Sequence, residues 1–120
     1  MFKKFLPMLL VLLITAPAVA PGAPGAADLQ AMEVILKLTQ AGMVAVDVSE
    51  PNGGLYVEPQ FWKQLTHVQK SILLKQGMLF FLNANSLQKK NIEWVGVADM
   101  TTKENLGSIN LQKHTISVKK

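Results

Sequence analysis

By residue type, the two histidines His67 and His114 are best suited to move protons near neutral pH. Their sequence settings favour plainer roles. His67 follows Thr66 at the start of a helical pattern, where added positive charge is unfavourable, and reads as a solvated first-turn residue. His114 alternates with Ile116 and Val118 and reads as a partly covered strand residue. Neither stands at a metal-ligand spacing. The acids Asp47, Glu50, Glu58, Glu93, Asp99 and Glu104 are scattered and make no carboxylate motif. No serine occupies a G-x-S-x-G elbow. Gly53-Gly54 belongs to a hairpin rather than to a strand-to-helix phosphate loop. The chain contains no cysteine, which removes thiol nucleophiles, zinc–thiolate sites, disulfides and a cysteine-linked lipid anchor. No catalytic, cofactor-binding or metal-binding residue is assigned on these grounds. A hydrolase-like or small-ligand alternative would need His67 or His114 to meet a carboxylate such as Asp99.

Aromatic and apolar residues are the remaining candidates. Tyr56, Trp62 and Trp94 could line a groove for a peptide, a glycan or a lipid, although tryptophans in a small domain are mostly packing residues. The stretch "GMLFFL", Gly77 to Leu82, is apolar on nearly every side of a helix, where a surface helix needs only one apolar stripe. Glycine inside a helix costs roughly 0.5–1 kcal/mol against alanine, so Gly77 is expected where another helix crosses closely. The competing expectation is an interaction surface built from Tyr56, Trp62, Met78, Phe80 and Phe81. Such a surface would serve a protein partner or a second copy, because Met and Phe are enriched at interface cores.

The elements that must position these residues begin after a leader. Lys3 and Lys4 precede the apolar run Phe5 to Thr15, which is about half the ~20 residues of a membrane span. Small residues and prolines follow, as in a secretory signal peptide. The expected organisation is a signal peptide over 1–18, cleaved between 18 and 27. A flexible Pro/Gly/Ala lead-in over 19–27 and one domain over 28–120 follow. After cleavage no stable membrane span is expected, and the protein is placed in the periplasm or outside the cell.

The formal charge of +4 includes Lys3 and Lys4. Without them ten lysines face eight acids, a net of +2. Every basic residue is lysine. Arginine's planar fork is the usual tool for phosphate and guanine contacts, so nucleic acid is not an expected partner.

Asp28 is an expected N-cap for a first helix ending at Gly42, with Leu29, Met32, Ile35, Leu36 and Leu38 as its candidate apolar face. Val44, Val46 and Val48 alternate with smaller or polar residues as in a strand. Asn52-Gly53 is expected to turn the chain into the strand Leu55 to Glu58. Pro59 then opens a short helical segment. Thr66 and Gln69 form a capping-box pattern for a long helix from His67 to about Asn83, and Asn83 to Asn91 is expected to be mostly loop. Strands follow at Ile92 to Asp99 and Leu106 to Leu111, with His114 to Val118 as a candidate fifth. The order α-β-β-α-β-β predicts an α+β domain, a small antiparallel sheet with helices packed on one face.

The segments "YVEPQFWKQLTHVQK" and "WVGVADMTTKENLG" resemble small exported bacterial proteins with a strand, a Trp- and Leu-bearing turn, a helix with Gln-Lys near its start, and a strand ending in aspartate before a hairpin. The resemblance covers Leu55 to about Leu111. Its usual Gly-Lys in the last hairpin is replaced here by "TTKEN". It implies a strand–helix–hairpin unit and no particular activity. Together these readings predict an exported, non-enzymatic interaction or accessory module of the cell envelope, with a self-associating structural subunit as a further alternative.

Overall fold

The computed structural model describes residues 24 to 119, with side chains from residue 31 onward. The expected signal peptide, 1–18, and residues 19–23 of the expected lead-in lie outside the described residues. Three helices and five strands follow one another as α1 (Pro24–Gln40), β1 (Val44–Asp47), β2 (Asn52–Val57), α2 (Pro59–Gln64), α3 (His67–Gln88), β3 (Trp94–Asp99), β4 (Asn105–Asn110) and β5 (Thr115–Val118). The strands form one sheet in sequence order, β1-β2-β3-β4-β5. The α+β class and the packing of helices against the sheet agree with the sequence reading.

The sheet is mixed rather than wholly antiparallel. β1–β2, β3–β4 and β4–β5 pair antiparallel, while β2 and β3 run parallel, from Asn52 opposite Trp94 to Val57 opposite Asp99. The cause is the length of α3. Its 22 residues span roughly 33 Å at 1.5 Å per residue. That carries the chain back to the end where β2 began, as a parallel crossover requires.

Local chemistry sets most element boundaries. α1 starts at Pro24, so Asp28 lies inside it rather than at its cap. Proline suits a helix's first turn and alanine its interior, which extends the helix through Ala26 and Ala27. Its core stripe is Ala31, Val34, Ile35 and Leu38; Met32 is only partly covered and Leu36 is 49% exposed. Gly42 ends the segment with φ +77°, a value that glycine reaches without steric cost. α2 is capped by Glu58, whose carboxylate accepts from the Phe61 N–H at 2.8 Å and the Gln60 N–H at 3.1 Å.

α3 carries the expected capping box. The Gln69 N–H donates to Thr66 Oγ1 at 3.1 Å, and the Thr66 N–H donates to Gln69 Oε1 at 2.8 Å. Thr66→Ala is expected to cost about 1 kcal/mol in a denaturant melt; an unchanged midpoint would show that the cap adds nothing. The helix does not stop at Asn83. Ala84 is buried, and Asn85 clamps Ile92 at both backbone groups, its Oδ1 accepting and its Nδ2 donating at 2.9 Å. Lys89 then closes the helix in the left-handed region at φ 53°. Glu50 ties the following loop down by accepting the Asn91 N–H at 3.0 Å, with Lys90 Nζ 3.9 Å away.

The core lies between the helices and one face of the sheet. Leu73, Leu74 and Phe81 of α3 meet Leu55, Val57, Val95, Val97 and Ile109. Gly77 belongs to this contact, not to a helix crossing. A Cβ there would come 3.1 Å from Leu55 Cδ2 and 3.4 Å from Ile109 Cδ1, both side chains of the sheet. The bare turn of α3 lets those two side chains reach the helix backbone.

Candidate functional site

With one face of the sheet under helices, strand alternation puts the intervening residues on the other face. Their register defines rows across the sheet. One row runs Asp47, Gly54, Gly96, Ser108, Ser117. Its neighbour runs Asn52, Trp94, Asn110, Thr115, and on the far side Ala45, Tyr56 and Ala98 are aligned. Asp47 is the single charged residue among these strand positions.

Asn52-Gly53 does not make the turn expected of it, because both residues are already in β2. The chain reverses earlier, over Val48 to Pro51. The two glycines instead serve opposite faces. A Cβ on Gly53 would sit 2.8 Å from the Asp47 carbonyl oxygen and 3.2 Å from Phe81 Cε1, so this glycine admits the Phe81 ring on the core side. A Cβ on Gly54 would sit 3.0 to 3.1 Å from the Tyr56 ring and hydroxyl, so Tyr56 lies folded over Gly54 on the open side. Lys103 Nζ stands 4.6 Å from the centre of the Tyr56 ring and donates to the Met100 carbonyl at 3.1 Å. The tyrosine is thereby held by a glycine at one side and a cation over its ring.

Next to Gly54, Gly96 is open: a Cβ there would meet nothing within 4 Å. The position forms a shallow pit between the Tyr56 ring and Ser108. Trp94, two residues along the same strand and 42% exposed, stands at one end. At the other end Ala98 leaves the floor low. The pit is therefore bordered by two aromatic rings and a hydroxyl, on a floor of small side chains.

The remaining sequence candidates fall elsewhere. Trp62 is buried, 8% exposed, with Lys70 Nζ 4.9 Å from its ring centre. Phe81 has no accessible surface and Phe80 has 8%; their rings meet edge to face at 5.4 Å. Met78 is partly buried against the core. Of the five residues expected on an interaction surface, Tyr56 alone lies on the open face of the sheet, beside Trp94. Gly96 and Ser108 were not singled out from the sequence. The alternation of Trp94, Gly96 and Ala98 with Val95 and Val97 put Gly96 on the face of Trp94, whereas Ser108 joins them only through the β3–β4 register.

His67 starts α3 at the end of the sheet where β2 finishes. His114 is not in a strand; it turns the chain between β4 and β5 at the other end, exposed and with φ 55°. No hydrogen bond or ion pair joins either histidine to a carboxylate among the described residues. Nor does any group of three potential metal ligands occur among them. Asp99 accepts the Thr101 and Thr102 N–H groups at 2.7 and 2.9 Å. The Thr102 N–H foremost holds this carboxyl below its usual range; desolvation opposes the shift, while Thr101, the Thr102 hydroxyl and the charge of Lys63 add to it. The ionised carboxylate therefore helps the loop above the ordinary carboxylate range, and that help is lost as the pH falls through its lowered value. This is loop closure rather than proton transfer. On α3, Gln76 Oε1 is buried without a hydrogen-bond partner.

The fold and this face define an α+β domain with a one-sided sheet whose open side carries aromatic side chains and, among its strand positions, a single charged residue, Asp47. No protein-family model, curated protein or solved structure matches the chain. No described helix is long and apolar enough to cross a membrane.

Proposed function

We infer that the chain is an exported, non-enzymatic binding module of the bacterial cell envelope, with the open face of its sheet as the recognition surface. The observation carrying this reading is the exposed Trp94 beside an open glycine and a pinned Tyr56. Tryptophan and tyrosine are the side chains that most often anchor recognition, because they offer large contact area for few rotatable bonds. The placement of His67 and His114 at opposite ends of the sheet favours binding over acid–base chemistry. Export rests on the leader, with its lysines, short apolar run and small-residue region.

The full chain, expressed in a bacterium, is expected to be exported and to sediment with the envelope fraction. Trp94→Ala should weaken that association about ten-fold, the equivalent of about 1.4 kcal/mol, without lowering the melting temperature. Retention of the wild-type protein in the cytoplasm, or an unchanged bound fraction in the variant, would reject this reading.

A further inference from the structure

We propose that the pit at Gly96 is a binding site for a neutral polysaccharide, taking one pyranose ring between Trp94 and Tyr56. The proposal rests on the preceding reading of the open face and names its ligand class. Three independent features converge on it. The first is charge: ten lysines and eight acids are distributed over the domain, yet Asp47 is the single charged residue among the open-face strand positions. A solvated sheet face with no ligand has no reason to exclude lysine and glutamate. A nucleic acid or an acidic peptide would call for several lysines along the strands; those positions hold mainly asparagine, serine, threonine and glycine, and Lys103, which reaches the Tyr56 ring from the β3–β4 loop, is engaged by that ring and the Met100 carbonyl.

The second feature is the type of polar group. Asn52 and Asn110 flank Trp94, while Ser108 and Ser117 extend the row from Gly96. Amides and hydroxyls both donate and accept, which suits the hydroxyl groups of a sugar. Asn110 Oδ1 accepts the Gln112 and Lys113 N–H groups, so its orientation is fixed before any ligand arrives. A second copy of this chain is a poorer occupant. Closing two such faces together would take these amides and hydroxyls out of water with little apolar area gained, and buried polar groups left without partners cost about 1–3 kcal/mol each.

The third feature is shape. A sugar ring has an apolar C–H face that stacks on an aromatic ring and polar edges that need hydrogen bonds. Gly54 and Gly96 stand side by side in the parallel pair, with strands about 4.8 Å apart. Gly54 is roofed by Tyr56 and Gly96 is not. The result is a step: the Tyr56 ring forms a wall at one side, the Gly96 floor lies open, and Trp94 stands at the end of the floor. Lys103 Nζ stands over the Tyr56 ring and is anchored on the Met100 carbonyl, which holds the wall in place. That pre-organisation reduces the ordering cost of binding.

The test uses Trp94 as its own reporter, since Trp62 is buried and Trp94 is not. The full chain, purified as it accumulates in a bacterial host, is titrated with neutral linear oligosaccharides, one of glucose and one of N-acetylglucosamine. Tryptophan emission is recorded throughout. A saturable change with at least one of them is expected. Gly96→Val should weaken it about ten-fold or more. The branched side chain has open space and suits a strand, so this variant is expected to fold, and an unchanged melt verifies that. Leu87→Ala, at an exposed position on α3, should bind as the parent does. No saturable change with either sugar, or equal binding by Gly96→Val, would overturn the glycan assignment. If sugar binding fails while envelope association still depends on Trp94, the ligand class is wrong and the face stands. If both fail, the recognition surface is wrong as well.

Discussion

Phe81→Ala is expected to destabilise the domain by about 3–5 kcal/mol and to leave its oligomeric state unchanged. The ring has no accessible surface, meets Phe80 edge to face, and packs over Gly53, where no Cβ fits. Truncating it removes a large buried side chain. The cavity cannot collapse readily, because Gly53 has no side chain to move into it and its backbone is held in the β2–β3 ladder. For a domain of this size the melting temperature should fall by about 15–30 °C. The alternative expected from "GMLFFL" was an interface, for which the same substitution would dissociate an assembly and spare the protomer. Light scattering beside a thermal melt separates the two. A species larger than the monomer that Phe81→Ala dissociates, with little change in melting, would put the ring at an interface.

Gly77→Leu is expected to cost about 1–3 kcal/mol or more by overpacking. Two effects oppose each other at this position. Replacing glycine by alanine or leucine gains helix propensity, worth about 0.5–1 kcal/mol for alanine. Against that, the first carbon already falls 3.1 Å from Leu55 Cδ2 and 3.4 Å from Ile109 Cδ1. Alanine needs Leu55 to yield by a few tenths of an ångström, and the end of a leucine side chain can do so. Leucine adds three further carbons beyond that already tight Cβ, toward the side chains of Leu55 and Ile109. Gly77→Ala is therefore expected to melt close to the parent, and Gly77→Leu well below it. Equal loss in both would indicate that backbone, not side-chain room, sets the requirement for glycine.

The elements legible in the sequence are those specified by neighbours in the chain. Thr66 and Gln69 satisfy each other's N–H groups across one helical turn, so their spacing alone marks the start of α3. Pro59 at the start of α2, Gly42 after α1, and the alternation in Val44 to Val48 and Val95 to Val97 are equally local. Two of the misread boundaries depended on distant partners. Asn83 to Gln88 is polar enough to read as loop, yet it stays helical where Ala84 is buried and Asn85 finds Ile92 across a turn of chain. Asn52-Gly53 has hairpin chemistry, but β3 pairs with both residues and draws them into the strand.

The candidate site was legible only in part. Tyr56 and Trp94 stood out by type, as did Trp62, Phe80 and Phe81, and nothing local separates an aromatic residue under a helix from one facing water. That separation follows from which face of the sheet the helices cover. Gly96 and Ser108 carry no signal of their own and acquire meaning from the residues across the ladder.

The sequence by itself determined the Thr66–Gln69 capping box of α3, the strand alternation, the absence of cysteine and arginine chemistry, and the α+β class. Each depends on residue type or on contacts within a few positions. The tertiary structure alone decided that β2 and β3 run parallel, that Gly77 receives the side chains of Leu55 and Ile109, and that Gly53 and Gly54 take aromatic rings on opposite faces. It also decided that Trp94 remains in water while Trp62 and Phe81 do not. The reason is geometric. Register and the covered face are properties of the whole sheet, set when α3 returns the chain to pair β3 beside β2, and no short stretch of sequence contains them.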